Sequence, residues 1–446
     1  MRRASVYLAL TIFLGVGAAG ATAEDQAEVT LAEAVRLALD RHPDVEKARA
    51  AADAFKGKVR EVKAQAYPEI KIVSAANRVR DPAFLNSPSL DKFPPELLGV
   101  LEVVGANLFD YSINVKQTLY SAGKVKTGLK IASVEAEGAL ADIDRAEQDL
   151  AMAVVRAFYD LIWSERYRDQ VAETQQQKIR HLEQARVLYR NGAATEVDVL
   201  RSEVNVANGQ PDLVRAENSI RQARALLNFY LVRSIDFPTR ASGEFQEKPW
   251  TEGDLDTLMK EAQRRRPELQ RLRIAERSAG LQLSLAHAES RLKLDFNGAY
   301  GIASRLPSNL ASDRFTRWST GVTMTLPVFD GFKRSGLVWQ ATAASRQARL
   351  ERERTEQQVR LALQQGLDEL TAATETIAAA RANISQAERV LAMMQNNYKY
   401  GAATTLDIVD AQTALSVART NLLRGLHDYS VTHANLRWTA GLRPWE

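Results

Sequence analysis

Tyr189-Arg190-Asn191-Gly192-Ala193-Ala194-Thr195-Glu196-Val197-Asp198-Val199-Leu200 returns, 209 positions later, as Tyr398-Lys399-Tyr400-Gly401-Ala402-Ala403-Thr404-Thr405-Leu406-Asp407-Ile408-Val409. The tyrosine, the glycine, both alanines, the threonine and the aspartate keep register. Each copy reads as a helix stop, a tight turn and a new helix start: Gly192 and Gly401 end one helix, and Thr195 and Thr404 cap the next. Working outward, Leu119-Tyr120-Ser121-Ala122-Gly123-Lys124 answers to Val328-Phe329-Asp330-Gly331-Phe332-Lys333 at the same shift. Further upstream, Arg41-His42-Pro43-Asp44-Val45 answers to Arg265-Arg266-Pro267-Glu268-Leu269 at a shift of 224. The 15 extra residues in the first copy fall between Asn77 and Leu119, in the stretch Asp81 to Pro95, and read as a surface loop. The chain is therefore one architecture written twice, a first repeat over 24–235, a linker over 236–252 and a second repeat over 253–446.

Ahead of the first repeat, Arg2 and Arg3 precede an apolar run from Val6 to Val16 and the small residues Ala21-Thr22-Ala23. Residues 1–23 have the charge, length and cleavage pattern of a secretory signal peptide; a membrane span would need about 20 apolar residues. The sequence contains no cysteine, so an exported chain must hold together by packing or assembly alone. Its formal charge of +4 falls to +2 without Arg2 and Arg3, which gives no reason to invoke nucleic acid. Beyond the leader no apolar run reaches spanning length, so any passage through a membrane must be made by strands.

Within each repeat, periodicity predicts helix, strand, loop, strand, very long helix, turn and helix. The strands fall at about 67–80, 108–119, 292–304 and 315–328. Phe109, Tyr111, Ile113, Val115 and Leu119 alternate with Asp110, Ser112, Asn114, Lys116 and Thr118, and Trp318, Val322, Met324, Leu326 and Val328 with Arg317, Gly321, Thr323 and Thr325. Two readings fit such strands: a soluble sandwich, or a barrel with apolar side chains to lipid and polar ones to a water-filled lumen. Strand length, the signal peptide and aromatic strand ends favour the barrel. Four strands cannot close one, since the smallest of this type have about 8, so a spanning chain must oligomerise.

Long helices are predicted over 123–190 and 332–399, both free of proline, each followed by a shorter one, over 195–231 and 404–440. In the first, Val125, Leu129, Ala132, Ala136, Ala139, Ile143, Ala146, Leu150, Ala153 and Ala157 keep a four-three spacing, the seam of a coiled coil. Gly209-Gln210-Pro211 should kink or split the helix of 195–231, because proline removes a backbone donor. No residue set supports catalysis, a cofactor or a metal: the five histidines are scattered, and no nucleophile elbow or phosphate loop occurs.

The duplication, the four amphipathic strands, the two very long helices and a Gly-x-x-Thr-x-x-Asp turn in each copy together resemble the TolC-like outer-membrane efflux proteins. The resemblance implies a mixed α and β membrane protein: a homotrimer whose 12-stranded β-barrel takes four strands per chain and is continued by a periplasmic α-helical barrel. It implies a passive exit duct in the outer membrane of a Gram-negative bacterium, served by an inner-membrane transporter and a periplasmic adaptor protein. The type I protein secretion outlet is the alternative within the family, and a structural periplasmic coiled-coil protein the alternative outside it. In the family, aspartate rings and a bond network close the periplasmic tip. Asp407 and Asp410 match the ring, and Tyr398 with Asp198 matches part of the latch, while Ala403 stands where the family has an arginine.

Overall fold

A computed structural model describes residues 28–79, 106–247, 249–304 and 306–445. The proposed leader and the inserted stretch Asp81 to Pro95 lie outside these residues. Strand β1 (Glu28–Val29) opens the first repeat, followed by helices α1 (Leu31–Arg41) and α2 (Pro43–Ala64), strands β2 (Glu69–Val79) and β3 (Ala106–Tyr120), and helices α3 (Lys124–Arg190) and α4 (Glu196–Tyr230). Strand β4 (Arg240–Ala241) lies in the linker. The second repeat runs α5 (Leu255–Arg265), α6 (Pro267–Ala288), β5 (Lys293–Ser304), β6 (Thr316–Thr325), α7 (Lys333–Lys399) and α8 (Thr405–Thr439). Both long helices have 67 residues and both return helices 35, in register at the shift of 209.

Proline divides what periodicity presents as one opening helix. His42 and Arg266, each preceding a proline, are extended at ψ 131° and 117°, so α1 ends before α2 begins and α5 before α6. This follows from the clash between a proline ring and a helical preceding residue, while proline itself fits the first helical turn. Thr30 caps α1 in a reciprocal capping box with Glu33, and Asp254 caps α5 through the Thr257 amide at 3.0 Å.

Pro211 does not split α4, which is helical from Glu196 to Tyr230. One lost amide is tolerated because α4 lies tightly on α3 there. Gly209 has no Cβ to meet the Gln175 side chain, and Gln175 Nε2 donates to the Val206 carbonyl at 2.9 Å. The side chain of a neighbouring helix thus binds a carbonyl in the weakened turn.

All four long strands form one antiparallel sheet in the order β2-β3-β5-β6. Ile72, Ile113, Tyr300 and Trp318 stand in one row across it, and all four are exposed, at 79%, 45%, 60% and 73%. The opposite face carries Asp110, Ser112, Asn114 and Lys116, with Asp110 paired to Arg317 and the Thr118 hydroxyl donating to Asp295 at 2.9 Å. A register shift between Thr118 and Tyr120 places Tyr120, rather than the expected Leu119, opposite Leu294. A bulge of this kind moves the alternation by one residue where the strand leaves the sheet. Strand β6 ends at Thr325 instead of 328, two residues before Pro327, which has no amide to give the ladder.

A narrow seam describes only part of α3. Ala132 and Ala139 are buried along it, but from Leu150 to Ile162 the helix is covered on nearly every side. Along its length α1, α2, α4, α6 and α8 pack against it, and around the covered stretch Val35, Val154, Phe158, Leu161, Leu227 and Leu231 form the largest core. A second core gathers Leu258, Leu363, Leu370 and Leu436 around α7, and a third, at the turns, gathers Leu391, Tyr398, Ile408 and Leu415. Burial at three levels stabilises helices about 100 Å long, which a single alanine stripe would not. Among the described residues no helix is long and apolar enough to cross a membrane.

Candidate functional site at the paired helix turns

The two quoted motifs form matching turns at one end of the helical body. Gly192 and Gly401 adopt φ of +71° and +75°, a left-handed conformation that costs glycine little. The Gly192 amide donates to Tyr189 at 3.0 Å and the Ala193 amide to Leu188 at 2.8 Å; in the second copy Gly401 donates to Tyr398 at 3.2 Å and Ala402 to Asn397 at 2.9 Å. These paired bonds are the Schellman closure of a helix C-terminus. Two residues on, Thr195 and Thr404 each start a helix in a capping box: the threonine oxygens accept from the Asp198 and Asp407 amides, both at 3.3 Å. Each aspartate accepts in return from the threonine hydroxyl, at 2.7 Å in both copies.

Asp198 and Asp407 are therefore structural caps before they are anything else. The Thr195 hydroxyl holds Asp198 below the usual carboxylate range against partial burial, helped by the Thr195 amide, the Thr405 hydroxyl and Arg201. Asp407 is lowered by the Thr404 amide and hydroxyl. Both stay charged near neutrality, where negative charge also suits the first turn of a helix. Asp410 lies a turn further along α8, exposed to solvent.

Tyr398 is only 9% exposed, packed in the tip core with Leu188 of α3 and Ala403 of the turn. Its ring lies 5.3 Å from that of His181 on α3, centroid to centroid. The Thr405 hydroxyl, 1% exposed, donates to the Tyr398 oxygen at 3.3 Å and also reaches Asp198. The family resemblance implies a bond between Tyr398 and Asp198; in the fold the Thr405 hydroxyl stands between them, and His181 flanks the ring. Neither residue was legible beforehand, because Thr405 replaces Glu196 of the first copy and His181 answers to Val390. Departures from the repeat were the only available signal.

A second contact between the repeats lies higher up. His427 of α8 joins Asp160 of α3 at 2.8 Å and its neighbour Asp428 at 3.0 Å, beside Trp163 and Phe245. Gln170 of α3 donates to the Ser416 carbonyl of α8 at 3.0 Å, and Arg419 bridges Glu173 and Glu388.

The two histidines respond to acid in opposite senses. Burial, the largest influence on His427, opposes its charge, yet the bonds to Asp160 and Asp428 leave its pKa raised above 6.5. Its stabilising contribution is full below that value and is lost as pH rises through the folded pKa. For His181 burial wins over the Asp198 charge and lowers the pKa, so its contribution is full above 6.5 and is lost as pH falls. Melting curves between about pH 5 and about pH 9 should lose their alkaline decline in His427→Gln and soften their acid decline in His181→Asn. Profiles parallel to the parent protein would remove both assignments.

No group of three metal-ligating side chains occurs among the described residues. A family model described as outer membrane efflux protein matches residues 34–231 and 258–442. The chain is 22% identical to the outer membrane protein TolC of Escherichia coli over 458 residues, covering 97% of this chain and 86% of TolC. It is also 22% identical to the alkaline protease secretion protein AprF of Pseudomonas aeruginosa, over 66% of this chain and 62% of AprF. Among solved structures, the outer membrane protein VceC of Vibrio cholerae superposes with a TM-score of 0.78 at 18% identity, over 93% of this chain and 96% of VceC.

Proposed function

Because the chain belongs to the outer membrane efflux protein family, a family of outer-membrane channels, we propose that it is the passive exit duct of a tripartite efflux system. It is an outer-membrane protein that extends into the periplasm. The observation that carries the duct reading is the sheet. Among the described residues strands β2 and β6 are the open edges of the sheet, each with a partner on one side only, and the apolar row Ile72, Ile113, Tyr300 and Trp318 is exposed. Three copies joined edge to edge give a closed barrel with lipid outside and the Asp110–Lys116 face inside, which removes the open edges. The 67-residue helices grow directly from the strand ends and would continue that lumen about 100 Å toward the inner membrane.

Nothing in such a duct consumes fuel, so the drive comes from an inner-membrane transporter joined to the tip by a periplasmic adaptor protein. The cargo is small molecules. The similarity to AprF supports a second reading, an outlet for secreted polypeptides. A chromosomal deletion separates them: the efflux reading expects small toxic compounds to accumulate, with exported polypeptides unchanged. The reverse result favours secretion, and no effect on either would sink the duct.

At the tip we place the gate. Symmetry brings the Asp407 and Asp410 carboxylates of three chains around the axis, where they would select cations. Tyr398, Thr405 and Asp198 tie the second repeat to the first and hold the mouth narrow. Asparagine at both Asp407 and Asp410 keeps an acceptor for the Thr404 amide while removing the charge. In planar bilayers this double variant should lose several-fold in cation-over-anion permeability. Unaltered reversal potentials would take the two aspartates off the conduction path.

A further inference from the structure

Between α3 and the α7–α8 hairpin, just above the tip core, lies a cavity of about 430 Å³. Arg180 and His181 line it from α3, Glu388 and Lys399 from α7, and Gln412 and Arg419 from α8. His181 and Gln412 are each 4% exposed, and His181 Nε2 and Gln412 Oε1 have no hydrogen-bond partner. Buried polar atoms are normally satisfied, and two of those left without a partner among the described residues belong to side chains that line this one cavity. Arg419 is engaged by Glu173 at 2.9 Å and Glu388 at 3.0 Å, whereas Arg180 and Lys399 bond to no described residue. Three cations thus stand against two carboxylates, both of them held by Arg419.

We propose that this cavity binds a small organic polyanion, a di- or tricarboxylate. Neutral imidazole with its proton on Nε2 donates to a carboxylate. The Gln412 amide does the same when its oxygen and nitrogen are exchanged, an orientation set only by its partners. Arg180 offers a planar fork that suits a carboxylate, and Lys399 a point charge. The volume falls within the roughly 300–1,000 Å³ of small-molecule sites and far exceeds the about 30 Å³ share of one water. A single water or halide would leave most of it unfilled. An anion held here contacts α3 of the first repeat and both helices of the second, and so ties the repeats together beside Tyr398. The site needs only the packing within one chain and does not depend on the duct reading.

Citrate titrated into the full-length protein in detergent, at fixed ionic strength, is the test. Citrate should bind, and the double variant R180Q/K399Q should weaken it by about tenfold or more. Both side chains are exposed, so the melting temperature without citrate should not change. The distant pair R346Q/R354Q removes the same charge from the upper half of α7 and should leave citrate affinity intact. Citrate that fails to bind by about 10 mM, or binding that the two double variants weaken equally, overturns the proposal.

Discussion

Lysine in place of Ile113 should keep the chain out of the outer membrane, while lysine at the adjacent Asn114 should be tolerated. Ile113 sits on β3, between two partner strands, in the exposed row with Ile72, Tyr300 and Trp318. Asn114 projects to the other face, where Lys116 already stands two residues on. A cation on the lipid face of a barrel costs about 2–4 kcal/mol at mid-depth and much less near the interfaces. If three chains share one barrel, the cost is incurred three times per assembly. The measurement is the share of each variant recovered in the outer-membrane fraction. Equal recovery of Ile113→Lys and Asn114→Lys would mean that the apolar row does not face lipid.

Alanine at Phe158 should destabilise the helical body by about 3–5 kcal/mol, the range for a large aromatic removed from a core. Phe158 is 2% exposed and stands edge-on to Tyr159 at 5.9 Å, in the cluster that holds Val35, Leu161, Leu227 and Leu231. Its outer side is covered by the linker, where Gly243 approaches the ring and Phe245 packs on the same cluster. A void there loosens α1, α4 and the linker at once. Phe158→Leu should cost markedly less, because it keeps most of the volume. Urea-induced loss of helical signal gives the comparison, and alanine and leucine variants of equal stability would show that Phe158 is not central to this core.

The duplication made the fold readable. Glycine and threonine at the two turns, and polar–apolar alternation in the strands, placed all eight long elements within a few residues. These are local rules: a left-handed turn, a cap and a period of two each act over a handful of neighbours. Where local rules met a tertiary contact they failed. Pro211 sits inside an unbroken helix because Gln175 of another helix packs on its turn. The bulge before Tyr120 depends on pairing with β5, which is 173 residues away at its first strand position and invisible to any short window. The linker read as a connector, yet it roofs the core over Phe158.

The site divided along the same line. Gly192, Thr195, Gly401 and Thr404 could be named from the sequence because each is required by its own turn. The link through Thr405, the ring of His181 against Tyr398 and the polar cavity beside them could not be named. They join α3 and α4 to α7 and α8, more than 200 positions apart. The sequence by itself determined the repeat, the elements and the two turns, since these follow from short-range sterics and hydrogen bonding. Only the tertiary structure decided which side chains meet between the repeats, because that depends on how α3 packs against the helices of the second repeat, α8 above all.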